Sequence, residues 1–332
     1  MEAGAASRSP GLHIALFQFE IRIGRKNGAN RCYDLRGMED RRPTIRWGRL
    51  LRLTLAGVAG ALIALDVALA WLFLDPLLRP GCAVPERLAG FPDPLVVDLE
   101  TGDGLILEAW YYPGANGRAV LALGGVGGSL GRSAPPVGFL LAAGYGVLQI
   151  GSRACAGEAV TLGAREVLDA EAGLRFLASR TEIEPGGIAL YGFSMGGAAA
   201  IRTATRNPVV AAVIAEGGYH NLGEDFVEPG SDRSLPEVVF LYTVAGVYRL
   251  RTGENPWEVS PVDSIGAIAP RPVLLIFGEA EAVSGRAAEQ FAAAGEPKEL
   301  WVVPGGGHGT NHRAAGVVYE EKVLDFLARA LE

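Results

Sequence analysis

Taken from residue 95 onward, the chain alternates short apolar runs of strand length with longer amphipathic stretches. Leu95 to Leu99 and Leu105 to Tyr112 alternate apolar and polar residues around the turn Thr101-Gly102-Asp103-Gly104, which predicts a β-hairpin. Ala119 to Leu123 is a continuous apolar strand that ends in a glycine-rich turn, Gly124 to Ser129. A helix over Phe139 to Ala143 and a strand over Tyr145 to Ile150 follow. Thr161 to Arg180 carries Val167, Leu168, Leu174 and Leu177 at helical spacing among charged residues. Ile188 to Tyr191 and Val209 to Ala215 read as strands on either side of a helix rich in small residues. Further on, Pro270 to Phe277 and Lys298 to Val303 read as strands, Gly285 to Ala294 and Val317 to Leu331 as helices. Strands alternating with helices over short connections call for a mostly parallel sheet with helices on both faces, an α/β fold. Residues 220–260 break this rhythm. Pro236 to Leu250 is aromatic and apolar, and is expected to form a helical insertion over the end of the sheet where ligands bind, or else a plain packing helix.

The N-terminal third follows another pattern. Residues 1–49 hold one alternating stretch, Leu12 to Ile23, and a charged run from Arg36 to Arg46, with too little apolar content for a domain. Met38 is an alternative start. Residues 50–75 are a hydrophobic segment: from Leu53 to Leu74, 22 residues carry one charge, Asp66. At 1.5 Å per residue that length crosses a bilayer core. Arg41, Arg42, Arg46, Arg49 and Arg52 precede it and Trp71 stands near its far end, which predicts a transmembrane helix with a cytoplasmic N-terminus and the α/β domain on the extracytoplasmic side. A cleaved signal sequence with Ala68-Leu69-Ala70 as its cleavage site and a soluble packing helix are the alternatives, the latter favoured by the cost of a mid-span carboxylate. A proline-bearing connector, residues 76–94, leads into the α/β domain, 95–332.

A net charge of −7 over 332 residues, with no basic cluster in the C-terminal two-thirds, argues against a nucleic-acid partner. Three widely spaced cysteines, Cys32, Cys82 and Cys155, suggest neither a disulfide scaffold nor a C-x-x-C metal site. The Gly124 to Ser129 turn lacks the spacing of a nucleotide loop, but offers bare backbone N–H groups of the kind an oxyanion hole needs.

The chemistry centres on Gly192-Phe193-Ser194-Met195-Gly196. A strand precedes it and small residues open a helix after it, the setting in which a G-x-S-x-G turn pushes a serine hydroxyl outward as a nucleophile. With 46 glycines in the chain the pattern alone is cheap, and an ordinary strand-to-helix turn is the plain reading. A hydroxyl needs a base, and there are four histidines. His308 stands in a G-G-G-H-G loop past a strand end, with little to pack against, and is the expected base; His312 is the second choice.

From about Val97 to its end the chain resembles the α/β-hydrolase superfamily, in its prolyl-oligopeptidase-like and dienelactone-hydrolase-like branch. The resemblance rests on Gly192 to Gly197, Leu162 to Asp169, Pro270 to Gly278 and Lys298 to Gly309, four blocks in the right order. It implies serine hydrolysis of an ester, thioester or amide with no metal or organic cofactor. It also implies an acid after the penultimate strand, where the family's aspartate position holds Glu281, with Glu279 as rival. For the oxyanion hole it implies the backbone N–H groups of Met195 and Val126. The usual R-G-x-G-x-S loop stands here as Arg153 to Glu158 without two of its glycines, which suggests an altered substrate site. A peptidase of this branch often carries an N-terminal propeller, for which the connector leaves no room. The expectation is therefore a small-molecule acyl ester as substrate, with a peptidase or a catalytically silent binding protein as alternatives.

Overall fold

The computed structural model describes residues 47–82, 87–88, 90–127, 136–227 and 233–332. The expected strand at Leu12 to Ile23, the Arg36 to Arg46 run, Met38, His13, Cys32 and the end of the 124–129 turn lie outside the described residues. The chain divides into two units, Met1–Thr54 and Leu55–Glu332. Of the first, only the start of helix α1 (Trp47–Leu78) is described. α1 is the one helix among the described residues that is long and apolar enough to cross a membrane, with a mean hydropathy of 2.1.

The second unit is built on one sheet of eight strands: β1 (Leu95–Glu100), β2 (Ile106–Tyr112), β3 (Ala119–Leu123), β4 (Gly146–Ile150), β5 (Ile188–Phe193), β6 (Ala212–Glu216), β7 (Val273–Gly278) and β8 (Lys298–Val303). Their spatial order is β1-β2-β4-β3-β5-β6-β7-β8. β1 and β2 form the expected hairpin, β2 pairs antiparallel with β4, and all later pairs are parallel. Strands β3 to β7 are buried almost throughout and, Gln149 and Glu216 apart, carry apolar or aromatic side chains, because both faces of the sheet are covered. Leu121 and Leu123 of β3 face a core completed by α3 (Glu166–Ala178), α4 (Met195–Ala204) and α8 (Ala287–Ala293). Val120 and Ala122 face the opposite core, closed by α2 (Gly138–Ala142) and α10 (Val317–Ala330), whose Tyr319, Val323, Phe326 and Leu327 recur at helical spacing.

Several boundaries differ from the sequence reading for local reasons. The helix expected from Thr161 begins at Glu166, because Leu162 and Gly163 have positive φ and the Glu166 carboxylate caps the turn, accepting from the N–H groups of Thr161 and Gly163. The strand expected from Pro270 begins at Val273, since Pro270 and Pro272 have no N–H to give to a ladder. Between β6 and β7 the chain forms α5 (Leu222–Val227), α6 (Leu235–Thr252) and α7 (Pro261–Ser264). α6 is stopped at its start by a Ser234/Glu237 capping box and at its end by Gly253. It packs beside the loop at 160–164 and Met195: Val244, Val247 and Tyr248 share an apolar cluster with Val160, Leu162 and Met195, and Tyr248 donates its hydroxyl to the Thr161 carbonyl at 2.6 Å. α9 (Asn311–Ala315) is a short turn that the sequence reading passed over.

The cysteine expectation is corrected. Cys82 and Cys155 form a disulfide across 73 residues. Their spacing carries no hint of it, because the pairing depends on the end of α1 lying against the 153–160 loop, where the Val160 N–H donates to the Leu78 carbonyl at 2.8 Å.

Candidate active site

Ser194 stands between β5 and α4, with φ 55° and ψ −121°, a backbone region that non-glycine residues rarely occupy. The turn is that tight because backbone meets backbone: a Cβ on Gly192 would lie 2.0 Å from the Gly196 carbonyl oxygen. The Ser194 N–H donates to the Glu216 carbonyl at 2.8 Å, so the end of β6 holds the turn in place. The side chain is partly exposed at the carboxyl edge of the sheet.

Three loops converge there. His308, after β8, places Nε2 3.0 Å from the Ser194 hydroxyl and Nδ1 2.7 Å from Glu281 Oε2. Glu281, after β7, also accepts the Gly278 N–H at 3.1 Å. Gly217 makes room for this contact, for a Cβ at its positive φ would lie 3.1 Å from His308 Nδ1 and 3.3 Å from Glu281 Oε1. The Phe193 ring lies 4.8 Å from the imidazole, centroid to centroid, and backs it.

Electrostatics follow from these contacts. The Glu281 hydrogen bond is the main reason the His308 pKa is raised above the ordinary imidazole value, with burial working against it. Burial pushes the Glu281 carboxyl up, but the bonds from His308 and the Gly278 N–H outweigh it and hold the group below the usual carboxylate range. Beneath the triad, Glu216 is buried and accepts from Asn311 Nδ2 at 2.9 Å and from the hydroxyls of Tyr319 at 2.5 Å and Tyr191 at 3.2 Å. Burial raises its pKa, and the three donors oppose the rise. Its three donors come from β5, α9 and α10, which no local sequence pattern joins.

The rival residues are placed elsewhere. Glu279 accepts the Gly305 N–H at 2.9 Å, and His312 Nε2 meets Glu320 at 2.8 Å. His220 lies against Glu224, Asp225 and Arg286. Met195 opens α4, and among the described residues neither its N–H nor that of Val126 donates a hydrogen bond. The arrangement has a hydroxyl, a ring nitrogen able to take its proton, a carboxylate on the far ring nitrogen, and the Met195 N–H at the N-terminus of α4. Together these suit acyl transfer.

The altered loop after β4 has a structural use. Arg153 is buried, pairing with Asp169 at 2.6 Å and Asp103 at 2.7 Å, while Cys155 carries the disulfide. A cavity of about 60 Å³ lies beside it, bordered by Gly124, Gly125, Ser152, Glu166 and Met195.

Comparison with known proteins agrees with the fold. The model of the alpha/beta hydrolase family matches residues 119–321. The chain belongs to that family. Among curated relatives, the uncharacterised protein Rv2307c of Mycobacterium tuberculosis is 31% identical over 251 residues, covering 74% of this chain and 83% of its own. The uncharacterised protein YfhR of Escherichia coli is 26% identical over 261 residues, covering 72% and 84%. Among solved structures, the esterase Pf2001 of Pyrococcus furiosus superposes with a TM-score of 0.57 at 22% identity, covering 77% of this chain and 99% of that one. A puromycin-hydrolyzing peptidase of Mycobacterium tuberculosis gives 0.54 at 22% identity, covering 74% and 40%. At these identities the structural likeness speaks for the fold.

Proposed function

We propose that the protein is a serine hydrolase that cleaves an acyl ester, or thioester, through a covalent acyl-enzyme. The observation that carries this reading is the unbroken chain from the Ser194 hydroxyl through His308 to Glu281. Ser194 Oγ attacks the acyl carbonyl while His308 Nε2 takes its proton. Glu281 fixes the tautomer with Nδ1–H and steadies the imidazolium that forms. The N–H groups of Met195 and Val126 meet the developing oxyanion, and the ring then returns its proton to the leaving alkoxide. Water attacks the acyl-enzyme by the same steps in reverse order of partners. Because the base works only when neutral, turnover rises with pH through the raised His308 pKa. A panel of p-nitrophenyl esters, an acyl thioester and an aminoacyl p-nitroanilide, each assayed against Ser194→Ala, tests the reading. Ester turnover lost in the variant supports it, and preferential cleavage of the anilide would transfer it to a peptidase.

The same reading places α1 across a membrane with the catalytic domain on the extracytoplasmic side. Its length and mean hydropathy support a span. The Cys82–Cys155 disulfide supports an oxidising compartment. Asp66 is compensated, since the Thr243 hydroxyl donates to it at 2.5 Å. Alkaline carbonate extraction tests the anchor: protein that stays with the membrane pellet agrees, and release at high pH contradicts it.

A further inference from the structure

Helix α6 is apolar on two sides. Its inner stripe, Val244, Val247 and Tyr248, is buried against the domain. Its outer stripe, Leu235, Val238, Val239, Tyr242 and Leu250, is exposed, with Leu235 and Leu250 about three-quarters so. A surface helix ordinarily turns polar residues outward, and one that is apolar all round belongs in a core or in lipid. Charge is confined to the ends of the stripe, at Arg233, Glu237 and Arg249, as suits a helix lying in a membrane interface, where Tyr242 can hold ring and hydroxyl at the headgroup level.

What covers this face is indicated by its neighbour. α6 touches α1 at Asp66 through Thr243, at Phe73 through Phe240 (6.1 Å between ring centroids), and at Trp71 and Asp75 through Arg251. These α1 positions, 66 to 75, fall in its C-terminal half and span a length of about 14 Å at 1.5 Å per residue. The other faces of α1, among them Leu62, Leu65, Leu69 and Leu72, are exposed and apolar. If α1 spans a bilayer, α6 is brought to the leaflet nearest the catalytic domain, with its outer stripe continuing the lipid-facing surface of α1. The inner stripe belongs to the same apolar cluster as Met195, with Val126 packed on its edge, so α6 packs against the residue that follows Ser194.

We propose that the outer face of α6 is seated in the bilayer beside α1, and that the enzyme thereby takes as substrate a long-chain acyl ester resident in that membrane. The inference rests on the anchor and hydrolase readings above and names the substrate class for them. A soluble ester needs no such face, whereas a lipid ester must leave the bilayer beside the nucleophile, and a cap helix held in the leaflet shortens that path.

The test uses the full chain carrying Cys32→Ser, reconstituted in vesicles of phosphatidylcholine and phosphatidylglycerol in equal parts. Nitroxide labels go on Val239→Cys and Tyr242→Cys, with Leu62→Cys as the anchor control and Glu289→Cys as the aqueous control. Labels at 239 and 242 should collide more with dissolved oxygen than with a water-soluble nickel chelate, as at 62 and opposite to 289. Greater access for the chelate at 239 and 242, with 62 still in lipid, overturns the proposal and leaves the anchor standing; chelate access at 62 as well removes both. Protection from both reagents means that a protein covers the face, and also overturns it. Val239→Glu with Tyr242→Glu should lower kcat/KM for a vesicle-borne p-nitrophenyl palmitate relative to aqueous p-nitrophenyl acetate by at least about tenfold, since a charge set into lipid is costly. Equal losses on both esters contradict delivery from the membrane. Acetate turnover by the unsubstituted chain in the same vesicles reports on the hydrolase reading separately.

Discussion

At the carboxyl ends of β5, β7 and β8 the side chains that matter are polar and each has a partner: Ser194 on His308, His308 on Glu281, Glu281 on the Gly278 N–H. Along α1 and α6 the opposite holds, with aliphatic and aromatic residues facing outward and the Thr243–Asp66 and Arg251–Asp75 pairs joining the two helices. The first region is a chain of hydrogen bonds that, on the reading proposed here, controls a proton, so its parts are interdependent and losing one should disable the rest. The second presents an apolar outer surface, whose parts contribute separately and by small amounts. Substitutions should divide along that line, with large effects on rate at the sheet edge and modest effects on stability or partitioning along the helices.

Ser194→Ala should show the largest effect, a fall in kcat for p-nitrophenyl acetate of at least about 10⁴-fold with an unchanged circular dichroism spectrum. Retention of more than a few per cent of the rate would detach the chemistry from this turn. Glu281→Gln comes next, with a loss in kcat of roughly 10³- to 10⁴-fold and little change in KM, because the amide supports the wrong tautomer and gives no charge to the imidazolium. Glu279→Gln is its control and should stay near the parent rate, since Glu279 holds only the Gly305 N–H. A large loss in the control alone would reassign the acid.

The residual activity of Glu281→Gln sharpens the electrostatic side of the comparison. Glu281 raises the His308 pKa, so removing its charge lowers that pKa and moves the acidic limb of the kcat/KM profile to lower pH. A limb that stays in place or moves to higher pH would mean that another group sets the protonation of the base.

On the helix side, Cys82→Ser should cost stability and not chemistry. Opening a 73-residue loop removes about 4 kcal/mol in the chain-entropy view. That corresponds to a Tm lower by roughly 10 °C for a domain of this size, read by calorimetry in detergent. Arg251→Ala should have the smallest effect, about 1 kcal/mol, from loss of its stacking on Trp71 and its bond to half-exposed Asp75. If either change abolished ester turnover in folded protein, the two regions would be coupled far more tightly than their contacts indicate.

The same contrast explains what could be read from the residues alone. Strands β3 to β8 and the candidates Ser194 and His308 were legible because each is announced locally: apolar runs of strand length, glycines on both sides of Ser194, and a histidine in a glycine-rich loop past a strand end. Glu281 was reached only through the resemblance, and it is the contact with His308 that separates it from Glu279. What stayed hidden depends on segments far apart in sequence. The Cys82–Cys155 bond, the Thr243–Asp66 hydrogen bond and the three donors around Glu216 join residues 25 to 177 positions apart. No periodicity encodes such pairs. The helix start at Glu166 was missed for a subtler reason, since Thr161 and Gly163 suit a cap as well as a helix and only the Glu166 carboxylate decides between them.

The most direct test of the central claim is to treat the full chain in detergent with a fluorophosphonate and map the adduct by peptide mass spectrometry. The account predicts one phosphonylated residue, Ser194, with modification lost in Ser194→Ala and greatly slowed in Glu281→Gln, where His308 no longer has its carboxylate. Folded protein that takes up no phosphonate, or takes it up at another residue, would contradict it.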